Sequence, residues 1–146
     1  MREILFRGKQ EEGRWVEGAY FKHDTVKVCF SSDDSKPRHL IIQDGFCDWG
    51  LEPPIHCVDV APSTIGQFTG LTDKNGKKIF EGDVCRFYGT DGYSDYVVFW
   101  DDTVSQWTVR QIDLGAKDVL DSYFTECCEI IGNIHDNPEL LEVGKE

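Results

Sequence analysis

The chain has 146 residues, 40% hydrophobic and 12% aromatic, which suffices for one domain or two small β modules without metal or disulfide and excludes an unfolded chain. Twenty-seven acidic against 15 basic residues give a net charge of −12, which repels phosphates over most of the surface and argues against direct nucleic-acid binding. No apolar run approaches a membrane span, and Met1-Arg2-Glu3-Ile4 runs straight into a β-like segment rather than a signal peptide, so the expectation is a cytoplasmic chain whose six cysteines stay reduced.

Met1 to Phe6 reads as a first strand, and Lys9 to Gly13 as a polar turn. From Arg14 to Phe21 the residues Trp15, Glu17, Ala19 and Phe21 alternate with Val16, Gly18 and Tyr20, and Gly18 marks a bulge or a close backbone approach. Val26, Val28 and Phe30 alternate with Lys27 and Cys29 as a half-buried strand. Ser31 to Arg38 has the composition of an exposed loop, His39 to Ile42 is a short strand, and Asp44-Gly45 turns. Phe46 to Leu51 carries no assignable pattern, and Pro53-Pro54 forbids a helix there. Ile55 to Val60 alternates weakly.

The stretch from Thr64 to Val84 joins two β regions. Gly66, Gly70 and Gly76 permit positive φ, and Asn75-Gly76 is a strong hairpin signal. Glu81-Gly82-Asp83 turns again, with Asp83 expected to bond local amides. Beyond it, Val84, Arg86 and Tyr88 face one way and Cys85 and Phe87 the other. Gly89-Thr90-Asp91-Gly92 is a hairpin, and Tyr93 to Trp100, apolar on both faces, belongs at the centre of a sheet. Asp101-Asp102-Thr103 turns into Gln106 to Arg110. Ala116, Val119, Leu120, Tyr123, Phe124 and Cys127 recur at helical spacing and predict a helix starting at Asp113 or Gly115. Glu129 to Ile134 is a closing strand, and Asn137-Pro138-Glu139 starts a terminal helical turn with Asn137 as its cap. Gly144-Lys145-Glu146 should fray.

Several of these segments together resemble the YopX family of phage and prophage proteins. They are Arg2 to Gly8, Trp15 to Gly18, Thr64 to Leu71, Asp73 to Val84, Ile131 to Ile134 and Asn137 to Leu141, in family order from end to end. The resemblance implies a phage-encoded protein that self-associates in the bacterial host, and it brings no catalytic residues with it. The matching pieces are turn and strand signals, which fits a shared scaffold better than a shared active site.

Candidate chemistry meets an ordinary explanation at each place. His39, Cys47, His56 and Cys57 are zinc-type ligands in one region, but no Cys-x-x-Cys knuckle is present, and adjacent His56 and Cys57 point to opposite faces of a strand. Cys127-Cys128 shares that difficulty and reads as core thiols. Asp95, Asp101, Asp102, Asp113, Glu126 and Glu129 could supply an acid–base pair, yet in so acidic a chain some must be neighbours by chance. His135 and Asn137 near Cys127 and Cys128 have the ingredients of a Cys-His-Asn protease, but Asn137 is needed as a cap. Lys74, Lys77 and Lys78 cluster around the Asn-Gly turn as a solvated face. No catalytic, cofactor-binding or metal-binding residue is therefore assigned.

The fold expected is mainly β: an antiparallel region over residues 1–63, then a small SH3-like β-barrel over 64–146 with one or two short helices near its end. The function expected is that of an acidic, non-enzymatic interaction protein, a homo-oligomer binding a host or phage protein, with a DNA mimic as a special case. The alternative is a small enzyme, a hydrolase or nucleic-acid processing factor with an acidic site.

Overall fold

A computed structural model of the chain describes residues 1–24, 36–44 and 54–142. The expectations for a strand at Val26 to Phe30, for the loop core at Ser31 to Ser35, for the Asp44-Gly45 turn and Phe46 to Leu51, and for fraying at Gly144 to Glu146 fall wholly or partly outside these residues, as do Cys29 and Cys47. The described chain is mainly β, in two antiparallel sheets, and divides into two compact units: residues 4–67, and residues 68–146 together with 1–3.

In the first unit the strands are β1 (Phe6–Lys9), β2 (Trp15–His23), β3 (Arg38–Asp44), β4 (Ile55–Asp59) and the start of β5 (Gly66–Thr72), ordered β4-β3-β2-β1-β5. β1 begins at Phe6, later than the expected Met1. Residues Trp15 to Gly18 of β2 pair with Lys9 back to Phe6, and from Ala19 onward β2 pairs with β3 instead, so nothing on β2 extends the ladder toward Met1. Gly18 sits at that changeover, where a Cβ would overlap the Ile42 carbonyl. This is the close backbone approach its position in the strand predicts. Val16, Ile41 and Val60 are buried here, with Phe6, Tyr20, Val58 and Ile65 packed on them. Of the three glycines expected to bend the following stretch, Gly70 and Gly76 take positive φ (89° and 79°), whereas Gly66 stays in the ladder opposite Arg7.

In the second unit β5 runs on to pair with β6 (Lys78–Phe80). A five-stranded sheet follows, made of β7 (Asp83–Gly89), β8 (Gly92–Asp101), β9 (Gln106–Gln111), β10 (Lys117–Val119) and β11 (Cys128–Asn133), in the order β10-β9-β8-β7-β11. β8, apolar on both faces, is the central strand, as its pattern requires. The turn before β7 needs Gly82 at φ 87°, and buried Asp83 accepts a hydrogen bond from the Phe80 amide (2.8 Å). The core contains Ile79, Cys85, Val98, Trp107, Val109, Leu120, Phe124 and Cys128.

Two expectations fail in this unit. No closed barrel forms among the described residues, because β10 and β11 remain the two edges of an open sheet. The helix expected from Ala116 to Cys127 is also broken. Gly115 (φ 69°) makes a turn, and Lys117–Val119 joins β9 as β10. Only Ser122–Glu126 is helical (α1), capped by Asp121, whose carboxylate accepts from the Phe124 amide at 2.9 Å. Of the expected apolar stripe, Leu120 and Phe124 are buried, while Val119 and Tyr123 face solvent. A 3-10 turn at Pro138–Leu141 starts at the predicted proline. Asn137 does not cap it: its Oδ1 accepts instead from the Asn133 amide (3.4 Å).

Candidate functional site

The residues singled out for chemistry are mostly held by structural partners. His39 lies on β3, where its Nδ1 hydrogen-bonds the Tyr20 hydroxyl (2.7 Å) and its ring stacks on that tyrosine. His56 and Cys57 are consecutive on β4, opposite Gln43 and Ile42. Cys47 lies outside the described residues, and among those described no group of three His, Cys, Asp or Glu side chains is placed to hold a metal ion. Cys128 is fully buried and Cys127 partly so. The near neighbour of Cys128 is not Cys127 but Cys85, also fully buried, one diagonal step away on β7. The Cys128 thiol and burial together push the Cys85 thiol well up, so it stays protonated.

Asp95 receives a two-pronged ion pair from Arg86 (2.8 and 3.0 Å), and that guanidinium lies 4.0 Å from the centre of the Tyr93 ring. Asp101 accepts from the Thr103 hydroxyl (2.6 Å) and amide (3.0 Å) and pairs with Lys117 (3.2 Å). These bonds hold its carboxyl below the usual range, the Thr103 hydroxyl most strongly. Glu129 meets Lys74 (3.6 Å), and Lys74 also lies over the Tyr88 ring (4.2 Å). Lys78 faces Glu3 (3.9 Å), so two of the three lysines around the Asn-Gly turn are matched by acids. Asp102, Asp113 and Glu126 are exposed and share no site. The Cys-His-Asn grouping is not available as drawn from sequence, since Asn137 is spent on Asn133 and on Glu139 (3.2 Å).

One feature of the second unit does not reduce to such pairing. Phe87 on β7 and Tyr96 on β8 point to the core face of the sheet, and α1 lays Phe124 against them. Phe87 stacks on Phe124 with centroids 5.1 Å apart, and Tyr96 meets Phe124 edge-on at 5.2 Å. Tyr123, one residue earlier on the helix, reaches to within 6.2 Å of Phe87 yet stays 70% exposed. Between these rings and the segment 118–121 lies a cavity of about 90 Å³, with Asp118 and Asp121 in its wall. A more open hollow of about 290 Å³ shares Phe87 and Tyr96 in its wall and is lined also by Tyr93, Ser94 and the hairpin residues Gly89 to Gly92, including Asp91.

The rim is anionic. Asp118 Oδ1 accepts only from the Val119 amide (2.8 Å), and Asp121 Oδ1 from the Phe124 amide. Neither carboxylate has a cationic partner among the described residues; the adjacent Lys117 turns to Asp101. Sequence reasoning missed this site because its rings come from three elements. The signal present was the aromatic pair Tyr123-Phe124 two residues after Asp121, which the expected longer helix absorbed.

The fold and this site together define an antiparallel two-unit β protein with an acid-rimmed aromatic slot and no assembled catalytic group among its described residues. The chain belongs to the YopX protein family, whose model matches residues 5–142. Among solved structures it is similar to the crystal structure of protein EF1440 from Enterococcus faecalis, at 23% identity and a TM-score of 0.55, over 97% of this chain and 100% of that one. At that identity the likeness speaks for the fold. No curated protein matches.

Proposed function

We propose that this is a phage-encoded, non-enzymatic interaction protein that self-associates in the cytoplasm of a bacterial host and binds a basic surface of a host or phage protein. The observation that carries this reading is the slot formed by Phe87, Tyr96, Tyr123 and Phe124, whose rim carboxylates Asp118 and Asp121 lack a cation. A binding face needs exposed rings beside unneutralised charge. An enzyme needs a nucleophile, base or metal set converging on a cleft. Arg38, Asp59 and Arg86 are shifted by structural ion pairs, Arg38 with Asp59 and Arg86 with its partner Asp95, Asp101 by Thr103 and Lys117, and Cys85 by the buried Cys128 beside it. The net charge of −12 favours a basic partner. In this reading the second unit is an open SH3-like module, since β11 returns to pair with β7 beside the β7–β8–β9–β10 meander, a likeness of strand order alone. Exposed Val104 and Leu114 on the same unit are available for self-association.

The test is affinity capture from host cells making the tagged protein, followed by reconstitution with the purified partner, and light scattering on the protein alone. The reading expects a basic partner whose affinity falls steeply as salt rises, and a mass above that of one chain. A monomer that captures nothing above background overturns it.

A further inference from the structure

Within the proposed function, and resting on it, we infer that the slot between α1 and the β7–β8 sheet is a receptor for an arginine side chain presented by an extended basic segment of the partner. The lining has two chemistries that converge on one kind of guest. The rings of Phe87, Tyr96 and Tyr123 line the slot, a ring's negative face attracts a cation, and Tyr123, 70% exposed, has a face free to close over one. Asp118 and Asp121 each use Oδ1 on a local amide and keep Oδ2 without a partner among the described residues, so two acceptor oxygens remain at the rim. An apolar guest would leave those carboxylates desolvated and unpaired, and an anionic guest would be repelled by them.

Size and shape then choose the cation. A cavity of about 90 Å³ equals the liquid volume of roughly three waters, which suits a flat guanidinium with its last methylene better than a bulkier phenol or indole side chain. The guanidinium is planar, weakly hydrated and bidentate toward carboxylates, and it stacks on rings; an ammonium does none of these as well. The chain already uses this arrangement internally, where Arg86 stacks on Tyr93 while forking onto Asp95. The hollow that shares Phe87 and Tyr96, with Asp91 in its lining, extends the path along which the peptide flanking that arginine would lie.

The experiment is calorimetric titration of the full chain with a synthetic Gly-Arg-Gly-Arg-Gly peptide, with Lys-for-Arg and Glu-for-Arg peptides as controls. Asp118→Asn keeps the acceptor for the Val119 amide and removes the charge. Tyr123→Ala removes an exposed ring at little cost to the fold, which thermal unfolding monitors. Tyr123→Phe keeps the ring and removes only the hydroxyl. The inference expects the arginine peptide to bind more tightly than the lysine peptide and the glutamate peptide not at all. It expects the Tyr123→Ala/Asp118→Asn protein to bind it roughly tenfold or more weakly, and Tyr123→Phe to bind like the parent. Equal binding by the double variant overturns the slot while leaving the interaction reading intact, as does failure to bind the arginine peptide in a protein that still holds its basic partner. Equal binding of the lysine peptide overturns the choice of arginine. If neither peptide nor partner binds, both readings fall.

Discussion

Asp73 should be a highly sensitive carboxylate in the second unit, and Asp73→Asn isolates why. Its side chain is 5% exposed and accepts three backbone hydrogen bonds: Oδ1 from the amides of Asn75 and Lys77 (2.9 Å each), Oδ2 from the amide of Ile130 on β11 (3.0 Å). One carboxylate thus shapes the Asn-Gly turn and pins it to the last strand, where the Lys74 amide also donates to the Cys128 carbonyl (3.1 Å). Asparagine has the same shape but one acceptor oxygen. If that oxygen keeps the turn, an N–H faces the Ile130 N–H, which costs about 1–3 kcal/mol for the stranded donor. The two turn bonds also drop from charge-assisted to neutral strength, for about 0.5–1 kcal/mol each. The sum is a loss of roughly 2–5 kcal/mol, and the flipped amide is worse because it strands two donors. Urea unfolding reads this as a midpoint lowered by roughly 1–2.5 M at unchanged slope, for a slope near 2 kcal/mol/M. Hydrogen exchange should quicken at the Ile130 amide in particular. A variant within about 0.5 kcal/mol of the parent, with Ile130 protected as before, would refute the latch.

Three further outcomes follow from the same geometry. Gly18→Ala places a Cβ on the Ile42 carbonyl and should destabilise the first unit by about 3 kcal/mol or more, seen as a lowered unfolding midpoint; a neutral substitution would mean β2 and β3 are not paired in this register. In native protein, iodoacetamide followed by peptide mass analysis should label exposed Cys57 and leave Cys85 and Cys128 untouched until urea is added, and early labelling of Cys85 would contradict its burial and its protonated thiol. Because Thr103 and Lys117 lower the folded-state pKa of Asp101, its contribution to stability is complete above the ordinary carboxylate pKa of about 3.9 and is lost as pH falls through the folded value. Carboxyl NMR should find Asp101 titrating below that ordinary value, and Thr103→Ala should move it back up; an unmoved titration would refute the assignment.

The strand and turn plan was legible because it is written in local chemistry. Gly76 and Gly82 take the positive φ their turns need, Asp83 bonds the amide of Phe80, and Tyr93 to Trp100, apolar on both faces, is central. What failed was decided at longer range. The spacing from Ala116 to Cys127 satisfies a helix, but the β9 edge offers Lys117 to Val119 a ladder, and Asp121 then restarts the chain as one short helix. Closure of the barrel depends on how far the sheet curls, and no residue pattern encodes that. The slot was hidden for the same reason. Phe87, Tyr96 and Phe124 each look like ordinary core residues, and Asp118 and Asp121 are two acids among 27. Only the register of β7 with β8, together with the short helix after β10, brings them to one place.

The most direct test of the account is an NMR titration of the isotope-labelled chain with the arginine peptide, following backbone amides and aromatic side chains. The account predicts saturable shifts centred on Phe87, Tyr96, Asp118, Asp121, Tyr123 and Phe124, weakening as salt is raised. Shifts scattered over the acidic surface with those six residues unmoved, or no shifts at millimolar peptide, would contradict it.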